Sequence, residues 1–296
     1  MERIFDLPLL LVGPGRAGRA LARSWRKAGG VLAGVAGRTP ESARQAGEAL
    51  SARAFGVSEI PARVELLVLA VPDDQIAEVS RGLAVRTRCR LVFHLSGALS
   101  ASALAPLRAT GASAASVHPL RAFAGDPEDD WDGALVALEG DAEATTAAEQ
   151  MVAAFGGDAY RIEAVAKPLY HAAATLAAGG TMAVLSVAVR AAVAAGLPES
   201  RARAALARLA SEAAAAAAKR PFRDAFTGPV ARRDAETVRA HRAAAAAHGD
   251  FLDLYRELAR ETLAATAGRG KEEEILAILE YREPRTPTDR RVNKPR

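Results

Sequence analysis

The order of apolar runs predicts an α/β fold, a doubly wound and mostly parallel sheet, followed by an all-helical domain. Two observations predict it. Short apolar runs alternate with helix-length amphipathic segments up to residue 163, after which only helix-length segments follow. A glycine-rich turn also joins the first apolar run to the first helical segment.

In order, Leu9–Val12 reads as a strand, Arg16–Ala28 as a helix, Val31–Ala36 as a strand and Pro40–Leu50 as a helix. Leu66–Val71 is apolar throughout, as a strand buried on both faces should be. Asp74–Leu83 reads as a helix, Leu91–Leu95 as a strand and Leu99–Thr110 as a helix. Ala114–Val117, Ala134–Leu138 and Ala159–Ile162 complete the strands, with a helix over Ala142–Phe155. Beyond them Lys167–Ala195, Glu199–Lys219, Asp234–Thr266 and Lys271–Glu280 read as helices, separated by Gly196-Leu197-Pro198 and a loop over 220–233. The expected organisation is a nucleotide-binding domain over 1–163, a helical substrate and dimerisation domain over 164–281, and a disordered basic tail over 282–296.

The 296 residues are 50% hydrophobic and 25% charged, the profile of a soluble globular chain. The formal charge of +4 belongs to the tail, where six Lys or Arg face two acidic residues, so the body is neutral and nucleic acid is not an expected partner. The first apolar run is short and is not a signal peptide, and a single cysteine, Cys89, excludes an internal disulfide; a cytoplasmic location is expected. The Ala-rich stretch near 172–189 approaches membrane-spanning length, but Thr175, Thr181 and Ser186 favour a buried core helix. No membrane or metal is expected.

In Gly13-Pro14-Gly15-Arg16-Ala17-Gly18, a G-x-G-x-x-G follows a strand and opens a helix. Gly13 permits the tight turn, Gly15 lets backbone approach a pyrophosphate, and Gly18 lets helix pack on strand. Phosphates then meet the free N–H groups of a helix N-terminus. This is a Rossmann-type dinucleotide turn. Where an NAD site would carry Asp or Glu after the second strand, this chain has Arg38-Thr39-Pro40. Arg38 can pair with a 2′-phosphate and Thr39 can add a hydroxyl, so the expected cofactor is NADP. Val71-Pro72-Asp73 and Ser96-Gly97 sit at later strand ends and are expected to line it; His94 and Asp74 are as readily a core histidine and a helix cap.

Three clusters are candidates for chemistry. His118 follows a strand in Ser116-Val117-His118-Pro119, where the proline is expected to end regular pairing. Lys167-Pro168-Leu169-Tyr170-His171 opens the long helix, placing Lys167, His171 and Thr175 on one face. A lysine at a helix N-terminus opposes the dipole, and partial burial would lower its pKa toward that of a proton donor. Thr227 through Asp234 leads into a helix; Asp234 can cap it, and Arg232 or Arg233 can clamp a carboxylate. Lys167, His171 and His118 are thus the catalytic candidates, and Tyr170, Thr227, Arg232 and Asp234 the substrate-binding candidates.

Taken in order, VGPGRAG, AVPDDQI, HLSGAL, HPLRAF, KPLYHAAA and TGPVARRD resemble a Rossmann-like family whose second half is a helical domain of unknown function. That family is related to ketopantoate reductase, pyrroline-5-carboxylate reductase and the 6-phosphogluconate and 3-hydroxyacid dehydrogenases. The resemblance implies an NADP-binding domain, a helical domain like that of 6-phosphogluconate dehydrogenase, and a homodimer formed through the helices. Two departures stand out: relatives commonly carry Asn where this chain reads Ala177-Ala178-Gly179, and Arg-Gly-Asp where it reads Arg232-Arg233-Asp234. The first removes the usual polar partner of Lys167 and leaves His171 in its place. The expected activity is hydride transfer between NADP and a small carbonyl or imine, such as a 2-oxo acid in a ketopantoate-reductase-like reaction. The alternative is a protein that holds NADP as a sensor without turning it over.

Overall fold

A computed structural model describes residues 3–248 and 250–281. The chain divides into two compact units between Ala178 and Gly179.

The first unit is built on an eight-stranded sheet in the order β3-β2-β1-β4-β5-β6-β7-β8. Its elements are β1 Leu9–Val12, α1 Arg16–Lys27, β2 Leu32–Gly37, α2 Pro40–Ala49, β3 Ala54–Gly56, β4 Arg63–Leu69, α3 Asp73–Ala84, β5 Arg88–His94, α4 Ala105–Arg108, β6 Ser113–Pro119, β7 Leu135–Gly140, α5 Ala142–Ala154, β8 Asp158–Arg161 and α6 Lys167–Thr175. Neighbouring strands are parallel except β6 and β7. The chain winds outward from β1 to β3, then returns to β4 beside β1 and winds the other way. Ligands bind in the crevice above such a reversal, at the C-terminal strand ends.

The apolar strands divide their side chains by parity. Leu9, Leu11, Leu66, Val68, Leu91 and Phe93 enter the layer shared with α1 and α5, which also holds Trp25, Trp131, Met151 and Phe155. Leu10, Val12, Leu67, Leu69 and Val92 enter the opposite layer with Ile76 and Leu83 of α3 and Leu107 of α4. Alternation with both faces covered is why these strands read as continuous apolar runs.

The second unit contains α7 Thr181–Ala194, α8 Glu199–Ala217, the short helices α9 Phe222–Ala225 and α10 Gly228–Arg232, then α11 Ala235–Ala246, α12 Asp250–Ala265 and α13 Glu272–Glu280. Its core is Val230, Val238, Ala259, Leu263, Ile275, Ile278 and Leu279. Arg233 ties this core together. It is buried in the left-handed region (φ 60°) after α10. It donates to the carbonyls of Val230, Ala231, Thr266 and Gly270, to Thr266 Oγ1, and at 2.9 Å to Glu272 Oε1.

Several expectations are corrected. The three-residue β3 is too short to show a period and was not expected. Leu99–Thr110 is not one helix but a 3-10 turn over Ala101–Leu104 followed by α4, because Pro106 starts a new helix better than it continues one. Asp234–Thr266 is two helices, α11 ending at Ala246 and α12 beginning at Asp250, where the alanine-rich run reads as continuous. The 220–233 loop holds α9 and α10. Pro119 does not end pairing: it is the last residue of β6 and pairs with Val136. The first compact unit runs through Ala178 and so includes α6. The stretch near 172–189 is not a buried core helix, for α7 has no fully buried residue. Residues 164–194 form the one helix among those described that is long and apolar enough to cross a membrane, by length and composition alone. The expected tail, 282–296, lies outside the described residues.

Replacing Arg233 by alanine should leave several buried carbonyls unpaired and lower unfolding free energy by at least about 3 kcal/mol. Chemical denaturation would show this, and Arg233→Gly, which relieves the φ strain but restores no bond, should remain well below wild type.

Candidate functional site

The turn after β1 shows why its three glycines are glycines. Gly13 has φ 90°, and a Cβ there would lie 2.5 Å from the Ala70 carbonyl oxygen. A Cβ on Gly18 would lie 2.6 Å from the Gly13 carbonyl oxygen. Both are therefore demanded by packing of the turn and α1 against β1 and β4. Gly15 is different: nothing lies within 4 Å of where its Cβ would be. It is the exposed N-cap of α1, so the middle glycine leaves open space over the free N–H groups of the helix. That is the shape required for close approach of a pyrophosphate, with Pro14, Arg16 and Ala17 flanking it.

At the end of β2, Arg38 is exposed and makes no hydrogen bond or ion pair to the described residues. Thr39 caps α2, its hydroxyl accepting from Ser42 N at 3.2 Å. No carboxylate stands at this strand end until Glu41, which is engaged with Arg44. Arg38 is therefore free to take an anion.

A polar cluster occupies the C-terminal ends of β4, β5 and β6. After β4, Val71 and Pro72 lead into α3, whose first residue, Asp73, accepts from Ser96 Oγ at 2.7 Å. Ser96 Oγ also accepts from the backbone N–H groups of Ala98 and Leu99, so one serine shapes the turn after β5. His94 is wholly buried; its Nδ1 accepts from Ser96 N (3.1 Å) and its Nε2 donates to Ser100 O (3.0 Å). These bonds suit the neutral ring, and burial pushes its pKa down to about 4.

Lys167 opens α6 and is completely enclosed. Its Nζ donates to Ser116 Oγ at 2.7 Å and to Ser96 O at 3.2 Å, and Ser116 Oγ donates to the same Ser96 carbonyl. Its bonded partners are thus uncharged. Burial lowers its pKa to about 8, opposed by the more distant carboxylates of Glu139 and Asp73.

His118 and His171 converge on Gly97. Their rings meet edge to face with centroids 5.7 Å apart. A Cβ on Gly97 would lie 2.3 Å from His171 Nδ1 and 2.7 Å from His118 Nε2, so only glycine fits beneath the two rings. His118 Nδ1 is bonded to Tyr170 Oη at 3.0 Å, which leaves Nε2 as the nitrogen facing Gly97. Burial first, then the charges of Lys167 and His171, lowers the His118 pKa to about 4. His171 Nδ1 is buried without a hydrogen-bond partner among the described residues.

The structure thus brings Asp73, Ser96, Gly97, His118, Lys167, Tyr170 and His171 together. Ser116 was missed in sequence, though it had a signal: it stands two residues before His118 in a buried strand, and so on the same face. Thr227, Arg232 and Asp234 lie in the second unit. Thr227 is the N-cap residue of α10, and Asp234 caps α11 by accepting from Thr237 N and Oγ1. Arg232 is exposed. Arg233, the alternative clamp, is consumed by the internal bonds described above.

Residues 5–119 match the model of a Rossmann-like domain, and residues 134–262 match a family described as a domain of unknown function, DUF2520. A candidate NADP oxidoreductase of Bacteroides fragilis superposes with a TM-score of 0.71 at 22% identity, covering 88% of this chain and 98% of the other. A 1-pyrroline-5-carboxylate reductase of Streptococcus pyogenes gives 0.61 at 16% identity, covering 93% and 99%. A reductive aminase of Aspergillus terreus, in complex with NADPH and ethyl-5-oxohexanoate, gives 0.62 at 17% identity, covering 91% and 98%. At these identities the likeness establishes a shared fold. Comparison with curated proteins finds no match.

His94 and His118 stay neutral in the fold but charge readily in the unfolded chain, so the unfolded state binds more protons between pH 6.5 and about 4. Stability should therefore fall as pH falls through this window, with a slope approaching about 1.4 kcal/mol per pH unit for each histidine. Urea midpoints across the window would measure it, and His94→Gln should flatten the slope.

Proposed function

We propose that this chain, in which a Rossmann-like domain precedes a DUF2520 domain, is an NADP(H)-dependent oxidoreductase acting on a small carbonyl or imine compound. One observation carries this reading. The open-faced glycine turn and the cluster around Gly97 stand along the same sheet edge, on the neighbouring strands β1, β4, β5 and β6. Two strand spacings, about 10 Å, separate the turn from Gly97, and three, about 15 Å, from His118.

Bound NADPH would supply the hydride. The protein's part is to hold the acceptor and donate a hydrogen bond to its oxygen or nitrogen. His118 suits that part. We assign Tyr170 as the donor to Nδ1, which puts the ring proton on Nε2, and a neutral imidazole can polarise a carbonyl by hydrogen bonding. Lys167 is enclosed and bonded inward, so we assign it to positioning: it holds Ser116 and the Ser96 carbonyl, and its charge helps keep His118 neutral. His171 is the second ring at the site. Arg38 is the ligand for the 2′-phosphate that selects NADP over NAD. A 2-oxo acid is the substrate class to test first. The sensor alternative is favoured by Gly179 standing where relatives commonly carry Asn.

The homodimer implied by the resemblance is proposed on α7. Met182, Leu185, Val189 and Val193 line an open groove of about 580 Å³ with Ala207 of α8, and Met182 is 67% exposed. Apolar surface of this kind gains from burial against a second copy.

NADPH should raise the melting temperature more than NADH. Arg38→Ala should weaken NADP binding about 10- to 100-fold while sparing NAD, because a charge-assisted bond is lost. His118→Gln should lower turnover at least about 100-fold with NADPH affinity held within about threefold. Full turnover in that variant would reject the assignment, and NADPH binding without oxidation across 2-oxo acids and imines would favour the sensor. Lys167→Met should raise the His118 pKa, read by NMR titration. Light scattering should give twice the 30.8 kDa chain mass, and Leu185→Glu should return it to a monomer.

A further inference from the structure

The connection between β6 and β7, residues 120–134, is long for an antiparallel pair and does not turn back directly. Trp131 N donates to Ser24 Oγ of α1 at 3.0 Å, and the indole is fully buried between Phe123 and Phe155. Lys27 pairs with Asp130 at 3.3 Å. Arg23 donates to two carbonyls of the connection, Nε to Asp129 O and Nη2 to Asp126 O, each at 3.0 Å. The Asp129 carboxylate turns back on its own loop and accepts from Gly125 N and Asp126 N. At the far end Gly125, with φ 97°, lies against Arg16: a Cβ there would be 3.2 Å from Arg16 Cγ and Cδ.

The connection therefore runs along one face of α1, from Lys27 through Arg23 to Arg16, and ends at the glycine turn. There it closes a cavity of about 220 Å³ lined by Pro14, Gly15, Arg16, Arg19, Arg23 and Gly125. The lining holds three arginines and no acidic residue; Asp129 is bonded within its loop and Asp130 is paired with Lys27. Arg19 Nε donates to Pro14 O at 2.8 Å, steadying the turn and leaving its terminal nitrogens beside the cavity.

We propose that residues 120–134 form a strap walling the diphosphate end of the dinucleotide site, and that Arg23 positions it. This rests on the dinucleotide reading above. The strap holds Gly125 against Arg16, which fixes Arg16 and Arg19 around the diphosphate and narrows solvent access to it. Arg23 serves this scaffold along its whole length: its stem lies on α1, and two N–H donors hold the strap.

Calorimetric titration of the full chain with NADP+, ADP-ribose and adenosine 2′-monophosphate tests this. Arg23→Met keeps the stem and removes both bonds. It should weaken NADP+ and ADP-ribose about tenfold and leave adenosine 2′-monophosphate, which lacks the diphosphate, within about twofold. Asp129→Ala, which loosens the strap without touching α1, should reproduce the pattern, and Arg23→Lys should fall between. Amides of 122–130 should exchange more slowly when NADP+ is bound. Unchanged NADP+ affinity in both Arg23→Met and Asp129→Ala, or equal losses for all three ligands, would overturn the strap while leaving the dinucleotide reading intact. Failure of the wild-type chain to bind NADP+ or ADP-ribose would overturn both.

Discussion

A lysine ammonium shut away from water must be given acceptors or lose its proton. Lys167 meets that demand with a backbone carbonyl and a hydroxyl, and the arrangement of the site follows from it. The carbonyl belongs to Ser96, whose own hydroxyl is bonded to Asp73 and whose N–H is taken by His94. The hydroxyl belongs to Ser116, on the same face of β6 as His118. One buried cation thereby ties together the ends of β4, β5 and β6 and the start of α6. His94 and His118 beside it are held neutral by the same enclosure.

The dinucleotide turn depends on a different constraint. Two of its glycines answer to neighbouring backbone, at Ala70 and at Gly13 itself, and would be required of any chain making this turn. Gly15 answers to nothing in the protein. Its lack of a side chain has no packing reason inside the protein and leaves the N-terminus of α1 open to close approach.

Much of this was legible in sequence, for identifiable reasons. The central strands carry apolar residues on both faces, so Leu9–Val12 announced itself, and the glycine spacing placed α1 at its first residue. Pairings and enclosures that depend on distant chain were not legible. Pro119 reads as a terminator, yet as the last residue of β6 it still has a partner across the ladder. The alanine-rich helix reads as core because composition cannot distinguish a face buried within one chain from a face left uncovered. Arg232 and Arg233 are equivalent as letters. Only the left-handed backbone at the second turns it inward to Thr266 and Glu272. Lys167 was legible as unusual, but its complete enclosure was not, since Ser96 and Ser116 lie 71 and 51 residues away in sequence.

The connection across α1 is gripped mainly through main-chain atoms: Arg23 reads two carbonyls, and Ser24 receives an amide proton. Every residue type offers a carbonyl and nearly every one an amide, so such a grip is indifferent to most letters between Leu120 and Ala134. Gly125, Asp129, Asp130, Trp131 and Gly133 are among the positions with side-chain or dihedral requirements of their own. Over evolutionary time that segment can therefore drift in sequence while keeping its path, and Arg23 and Ser24, outside it, specify where it must lie.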